Sequence, residues 1–85
     1  MHTQEQIAQE VRKFLIDNIF GGTENPELRE DTPLISTRLM DSIVALKLVS
    51  HVEALFGIEF QAHEVVQDNL ENINAIVAFV QRKQK

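Results

Sequence analysis

Cysteine, tryptophan and tyrosine are absent from this 85-residue chain, and it contains only three glycines and two prolines. Without cysteine there can be no disulfide, no thiol nucleophile belonging to the chain and no thiolate metal site. Such a composition suits a reducing cytosol. Basic residues are outnumbered by acidic ones, 8 to 13, and the formal charge is −5. That balance speaks against nucleic-acid binding, which calls for a basic patch, and suits a partner with a basic surface. No apolar run approaches the ~20 residues needed to cross a bilayer. The opening residues, Met1 to Gln6, are polar and include Glu5, unlike a signal peptide. The expectation is one small cytoplasmic domain over residues 1–85, monomeric, with 44% apolar residues to form its core.

Reactive constellations are equally scarce. His2, His51 and His63 lie in separate segments. His51 and Glu53 are two residues apart on a helix and so do not share a face, and a zinc site usually needs three or four ligands. No metal site is expected. No Ser-His-acid set can be assembled, and Gly21-Gly22 is too short to cradle a phosphate. No residue is assigned a catalytic role, and the chain reads as a non-enzyme.

What the sequence does contain is helical periodicity. Thr3 and Gln6 form a capping-box pattern, and Ile7, Val11, Phe14 and Leu15 recur at helical spacing behind it, with Asn18 and Ile19 continuing the face. A first helix is predicted over Thr3–Asn18, stopped by Gly21-Gly22, with Arg12, Lys13 and Asp17 pointing away from the stripe. Residues 20–40 have no clean period. They hold Pro26, Pro33 and the acids Glu24, Glu27, Glu30 and Asp31, with a short helical turn expected near Pro26–Arg29. Leu28, Leu34, Ile35 and Leu39 can pin this long loop to a core. Loops of such length in small domains are usually functional or mobile.

A second helix is predicted over Ser42–Phe56, closed by Gly57. Ala45, Leu48, Val49, Val52 and Phe56 form its core stripe. Ile43, Val44, Leu46, Ala54 and Leu55 are apolar as well, and Lys47, Ser50, His51 and Glu53 supply the polar remainder. A helix apolar over so much of its girth is central to a bundle or offers surface to a partner. Leu46 and Leu55 are assigned to the core and Val44 to the surface. Ile58-Glu59-Phe60 reads as an extended connector with Ile58 and Phe60 buried. A short third helix is expected over His63–Gln67 with Val65 and Val66 inward, broken by Asp68-Asn69, with Leu70 anchoring the turn. Asn72 then caps a fourth helix whose face is Ile73, Ile76, Val77 and Val80, with Phe79 on its edge and a cationic tail over Gln81–Lys85. The fold class is all-α: a four-helix bundle of three longer helices and a short third one, with a long loop between the first two.

The loop delivers Asp41-Ser42 to the head of the second helix. Asp41 is a good N-cap, since its carboxylate can accept from the unpaired first-turn N–H groups. Ser42 follows on the first turn, where the helix dipole favours an anionic substituent such as a phosphate ester. A bundle with no chemistry of its own is either a plain interaction domain or a carrier whose reactive group is attached covalently.

Asp41-Ser42-Ile43, the apolar run Val44 to Val49, Val52-Glu53 and then Phe56-Gly57-Ile58-Glu59-Phe60 together resemble the acyl carrier protein family, and Asp31-Thr32-Pro33-Leu34-Ile35 resembles the loop preceding its motif. The likeness runs from the first helix to the last. It implies that Ser42 receives a 4′-phosphopantetheine arm from coenzyme A through a separate Mg²⁺-dependent phosphopantetheinyl transferase. It also implies that the arm's thiol carries an acyl or aminoacyl thioester, and that Asp41 helps the transferase recognise the site. Partners implied are that transferase, an acyl- or aminoacyl-loading ligase and a downstream transferase.

The sequence departs from fatty-acid carriers, whose second helix is strongly acidic. Here the outer positions hold Val44, Lys47, Ser50, His51 and Ala54, with Glu53 among few acids. The Gly-Gly that precedes the serine motif of many peptidyl carriers is replaced by Leu39-Met40. The reading is therefore a discrete carrier of a dedicated biosynthetic pathway, meeting its enzymes through Ile43, Val44, Lys47, Ser50 and Ala54. The alternative is an unmodified helical interaction domain.

Overall fold

A computed structural model describes residues 2–23 and 25–84. Met1, Glu24 of the acidic loop and Lys85 of the cationic tail lie outside the described residues. The described residues form four α-helices, α1 (Gln4–Ile19), α2 (Ser42–Phe56), the one-turn α3 (Gln67–Leu70) and α4 (Ile73–Gln84), with a 3₁₀ turn at Ala62–Glu64. No strand occurs among the described residues. The all-α bundle with a long first connection is the architecture expected. It measures 32 × 25 × 20 Å.

Local sequence explains the helix ends. Thr3 Oγ1 accepts from the Gln6 N–H at 3.1 Å, and the Gln6 side chain accepts from the Thr3 N–H at 2.9 Å. This reciprocal box satisfies two donors that would otherwise lack partners. At the other end the Gly22 N–H donates to the Ile16 carbonyl at 2.9 Å, which requires the left-handed Gly21 at φ 65°. Gly57, also at φ 65°, closes α2. Asn72 Oδ1 accepts from the Ala75 N–H at 2.7 Å and caps α4 as predicted.

α1 packs chiefly against α4, with α2 laid against both. Ile7, Val11, Leu15, Leu48, Val52, Ile73, Ile76 and Val80 are essentially inaccessible, and Leu28, Leu34 and Met40 pin the long loop to the same core. Ile16 joins the buried face of α1, while Phe14 and Ile19 are half-buried and Asn18 is exposed. Arg12 does not simply face solvent. Its guanidinium donates to the Leu28 carbonyl and, at 3.1 Å, to the Asn25 carbonyl, strapping the loop onto α1. Near Pro26 the loop makes a turn rather than a helix, closed by the Leu28 N–H on Asn25 O at 3.1 Å.

The third helix begins later than expected. Residues 62–64 make the 3₁₀ turn, and Asp68-Asn69 lie inside α3 instead of breaking it. Asp68 falls in the first helical turn, where an acid is favoured. Asn69 Nδ2 donates to the Glu64 carbonyl at 2.8 Å, which ties the turn to the helix. Val65 is half-buried but Val66 is 44% exposed, not inward. Ile58 is half-buried and Phe60 buried. Phe79 is only 1% exposed, stacked on Phe60 at 4.2 Å, rather than on an edge. Lys83 reaches back to Glu64 at 3.0 Å. The Gln61 N–H, and after it Lys83, hold the Glu64 carboxyl below its ordinary range.

Candidate functional site

The site is built at the start of α2. Asp41 has extended backbone (φ −82°, ψ 177°), and its Oδ1 accepts from the Val44 N–H at 2.9 Å. Its carbonyl accepts from Ala45 N–H, also at 2.9 Å. The cap predicted from sequence is thus formed, and such caps are worth about 1 kcal/mol. Ser42 is the first helical residue and is exposed. The N–H groups of Ser42 and Ile43 belong to the first turn, which has no intrahelical acceptor. Neither has a hydrogen-bond partner among the described residues. An oxyanion esterified at the Ser42 hydroxyl would meet these N–H groups and the positive end of the helix.

Beside Ser42 opens an apolar groove of about 300 Å³. Ile35 and Met40 of the loop line one wall, Ala45 and Leu46 of α2 a second, and Val65, Val66, Gln67 and Leu70 the third. A larger hollow of about 480 Å³ between α1 and the start of α4 shares no residue with this site and holds no candidate attachment residue. Among the described residues no group of acids and histidines is arranged to hold a metal.

The α2 surface departs from the sequence expectation at Val44, Leu46 and Leu55. Ile43 (64% exposed), Leu46 (59%) and Leu55 (40%) are the exposed large apolar residues of the helix, whereas Val44 is half-buried against the core. Val44 precedes His51 by seven residues, two turns, so both lie on one flank. That flank meets α1, where His51 stacks on Phe14 at 5.0 Å. Leu46 lies on the opposite flank, toward the groove. Lys47, Ser50 and Ala54 are exposed as expected. Glu53 is not available to a partner in the manner of a surface acid: its Oε2 accepts from the Phe60 N–H at 2.8 Å.

Sequence reasoning missed Glu71. Its Oε1 accepts from the N–H groups of Leu34, Ile35 and Ser36 at 3.1, 2.8 and 3.0 Å, and its Oε2 from Gln67 Nε2 at 2.9 Å. These bonds, led by that from Ser36 N–H, lower its pKa to about 2. A carboxyl whose folded pKa lies below its ordinary 4.5 adds stability that is present above 4.5 and is lost as pH falls toward 2. Glu71→Gln is therefore expected to flatten the fall in thermal midpoint across that range. A fall as steep as the parent's would count against the carboxylate. Local spacing offers only Gln67, four positions back; the loop N–H groups that define the clamp lie 35 to 37 positions away.

A family model described as the phosphopantetheine attachment site matches residues 20–80, more than two thirds of the chain. The chain belongs to this family. No curated protein matches it at a significant level. Members of the phosphopantetheine-attachment family are carriers that hold 4′-phosphopantetheine covalently, and the groups at the head of α2 suit that cofactor. An exposed hydroxyl is available for a phosphodiester, unpartnered N–H groups stand beside it for the charge, and an apolar groove adjoins it. Phosphopantetheine-bearing carriers depend on a phosphopantetheinyl transferase and on pathway enzymes. No helix of the described residues is long and apolar enough to cross a membrane.

Proposed function

We propose that this chain is a discrete cytoplasmic carrier. It holds an acyl or aminoacyl group as a thioester on a 4′-phosphopantetheine arm attached to Ser42, and presents it to the enzymes of one dedicated biosynthetic pathway. The observation that carries the reading is the exposed Ser42 hydroxyl at the capped head of α2, beside the groove. When bound, the arm supplies the thiol that this cysteine-free chain lacks. Ser42 Oγ forms a bond to phosphorus as the pyrophosphate bond of coenzyme A breaks. The nucleotide portion departs with the electron pair, and the hydroxyl proton passes to a base of the transferase. A serine hydroxyl is a weak nucleophile on its own, so activation falls to that enzyme. Asp41 fixes the first turn and gives the transferase a recognition point.

The test is direct. Incubation with a broad-specificity phosphopantetheinyl transferase, coenzyme A and magnesium should add one arm, read by intact mass spectrometry. An unchanged mass with a transferase that modifies a known carrier in parallel would favour an unmodified interaction domain instead.

The dedicated pathway is supported by the face of α2. Ile43, Lys47, Ser50 and Ala54 offer apolar and neutral surface around a single cation, and exposed Leu46 extends it. Val44 contributes from its half-buried position at the edge. The partners proposed are a loading ligase and a downstream transferase that meet this face through apolar contacts rather than by attraction to acids. Ile43→Glu and Lys47→Glu should each slow loading by the cognate ligase on the order of 10-fold, the factor that a ~1.4 kcal/mol contact represents. Thermal midpoints should barely move. Loading at the parent rate in both variants would remove this face from the interface.

A further inference from the structure

The loop ahead of Ser42 ends in a single tight turn. The Arg38 N–H donates to the Ile35 carbonyl at 2.9 Å, Thr37 Oγ1 to the Pro33 carbonyl at 2.9 Å, and the Met40 N–H to the Leu34 carbonyl at 2.9 Å. Arg38 takes the left-handed conformation, φ 62°, to leave the turn, which is costly for a residue other than glycine. At the start of this turn the N–H groups of Leu34, Ile35 and Ser36 point at a common centre. One oxygen of Glu71, from the junction of α3 and α4, fills it. The Leu34 N–H also donates to the Glu71 carbonyl at 2.6 Å.

The same carboxylate joins two walls of the groove. Ile35 and Met40 belong to the loop wall and Gln67 to the α3 wall, and Glu71 hydrogen-bonds to both sides. The chain runs from the clamped residues through Met40, itself bonded back to Leu34, straight into the cap Asp41 and then Ser42. The strain at Arg38 persists only if the surrounding contacts over-determine the turn; beside the bonds internal to the turn, three N–H groups at its start converge on Glu71.

We propose that Glu71 is a positioning residue for modification of Ser42: by clamping residues 34–36 it fixes the path of the loop into α2, and with it the presentation of the serine hydroxyl to the transferase. This inference rests on Ser42 being the attachment residue. Glu71 touches neither the hydroxyl nor coenzyme A. It acts through the turn, and its loss leaves the α2 surface unchanged.

The experiment compares the parent chain, Glu71→Gln and Glu71→Ala as substrates of a broad-specificity phosphopantetheinyl transferase with coenzyme A, alongside amide hydrogen exchange. In Glu71→Ala the amides of Leu34, Ile35, Ser36 and Met40 should exchange faster while those of α1 and α4 stay protected. The kcat for arm addition should fall roughly 10- to 100-fold, the upper figure being what a misplacement of about 1 Å can cost. KM should stay close to the parent value, because the surface that the transferase grips is intact. A merely destabilised chain would instead lose protection throughout. Glu71→Gln, which keeps the shape and one acceptor oxygen, should fall between the two, and it carries the test if the alanine variant does not fold. Parent kinetics in a variant with deprotected loop amides overturns the proposal, as does full loop protection without the carboxylate. A parent chain that takes up no arm overturns the reading of Ser42, which separates the two failures.

Discussion

Ser42→Ala is expected to abolish arm addition completely, with the far-UV circular dichroism spectrum and thermal midpoint nearly unchanged. The two halves of this expectation have separate physical sources. Function disappears because the transfer needs an oxygen nucleophile and alanine has none. The fold survives because the serine side chain contributes little to it. Ser42 is exposed and its hydroxyl makes no hydrogen bond among the described residues. The cap belongs to Asp41, whose Oδ1 still meets the Val44 N–H at 2.9 Å. Alanine is also the best helix former, so any propensity change at this position favours the helix by no more than about 0.7 kcal/mol. Ser36 and Ser50 are exposed too, and they serve as internal controls. Ser36 lies in the clamped turn and Ser50 within α2, so neither hydroxyl sits on a helix's first turn. Arm addition that persists in Ser42→Ala, mapped by peptide mass spectrometry to either of them, would sink the assignment.

What could be read from sequence depended on how far apart the interacting groups are. The Thr3–Gln6 box, the Asp41 cap and the Asn72 cap each involve partners within three residues. Their geometry follows from local spacing, and all three were legible. Most of the stripes of α1 and α4 is legible too, since apolar residues fall on one face, but buried Ile16 and Phe79 and exposed Asn18 depart from the reading. On α2 apolar residues surround most of the helix, and the pattern alone does not fix which way it faces. The sequence reading consequently misplaces Val44, Leu46 and Leu55: the His51–Phe14 stack orients the helix, and it depends on α1. Asp68-Asn69 reads as a breaker by composition, yet one residue suits a helix start and the other bonds to Glu64 O. Glu71 and Arg12 act on loop backbone 35 to 37 and 13 to 16 positions away, which periodicity does not report. At the candidate site, the capped helix start at Asp41-Ser42 is legible in the sequence. The groove wall and the clamp behind it are not, because they exist only where the loop returns to α3.

Phe79→Ala should be the most damaging single change to the fold. Phe79 is 1% exposed and lies against Phe60 with centroids 4.2 Å apart and planes inclined by 22°. Arg82 and Lys83 hold their cations 5.6 and 5.7 Å from its ring centre. Truncation therefore removes a buried ring, leaves Phe60 without its stacking partner and takes away an apolar support for two charged side chains. Buried Phe→Ala changes cost roughly 3–5 kcal/mol, against a total of about 5–15 kcal/mol for a typical native protein. Urea denaturation followed by circular dichroism should place the midpoint far below the parent's, and a loss under about 1 kcal/mol would contradict the packing described. The consequence for function distinguishes this variant from Ser42→Ala. Phe60 also donates its N–H to Glu53 of α2, so disorder at Phe79 reaches the far end of the helix that presents the serine. Arm addition should then fall in proportion to the unfolded fraction and return as the temperature is lowered toward the point of maximum stability. In Ser42→Ala it stays at zero at every temperature. A Phe79→Ala chain that is fully folded yet unmodified would mean that α4 takes part in transferase recognition, a role its packing behind α2 gives no reason to expect.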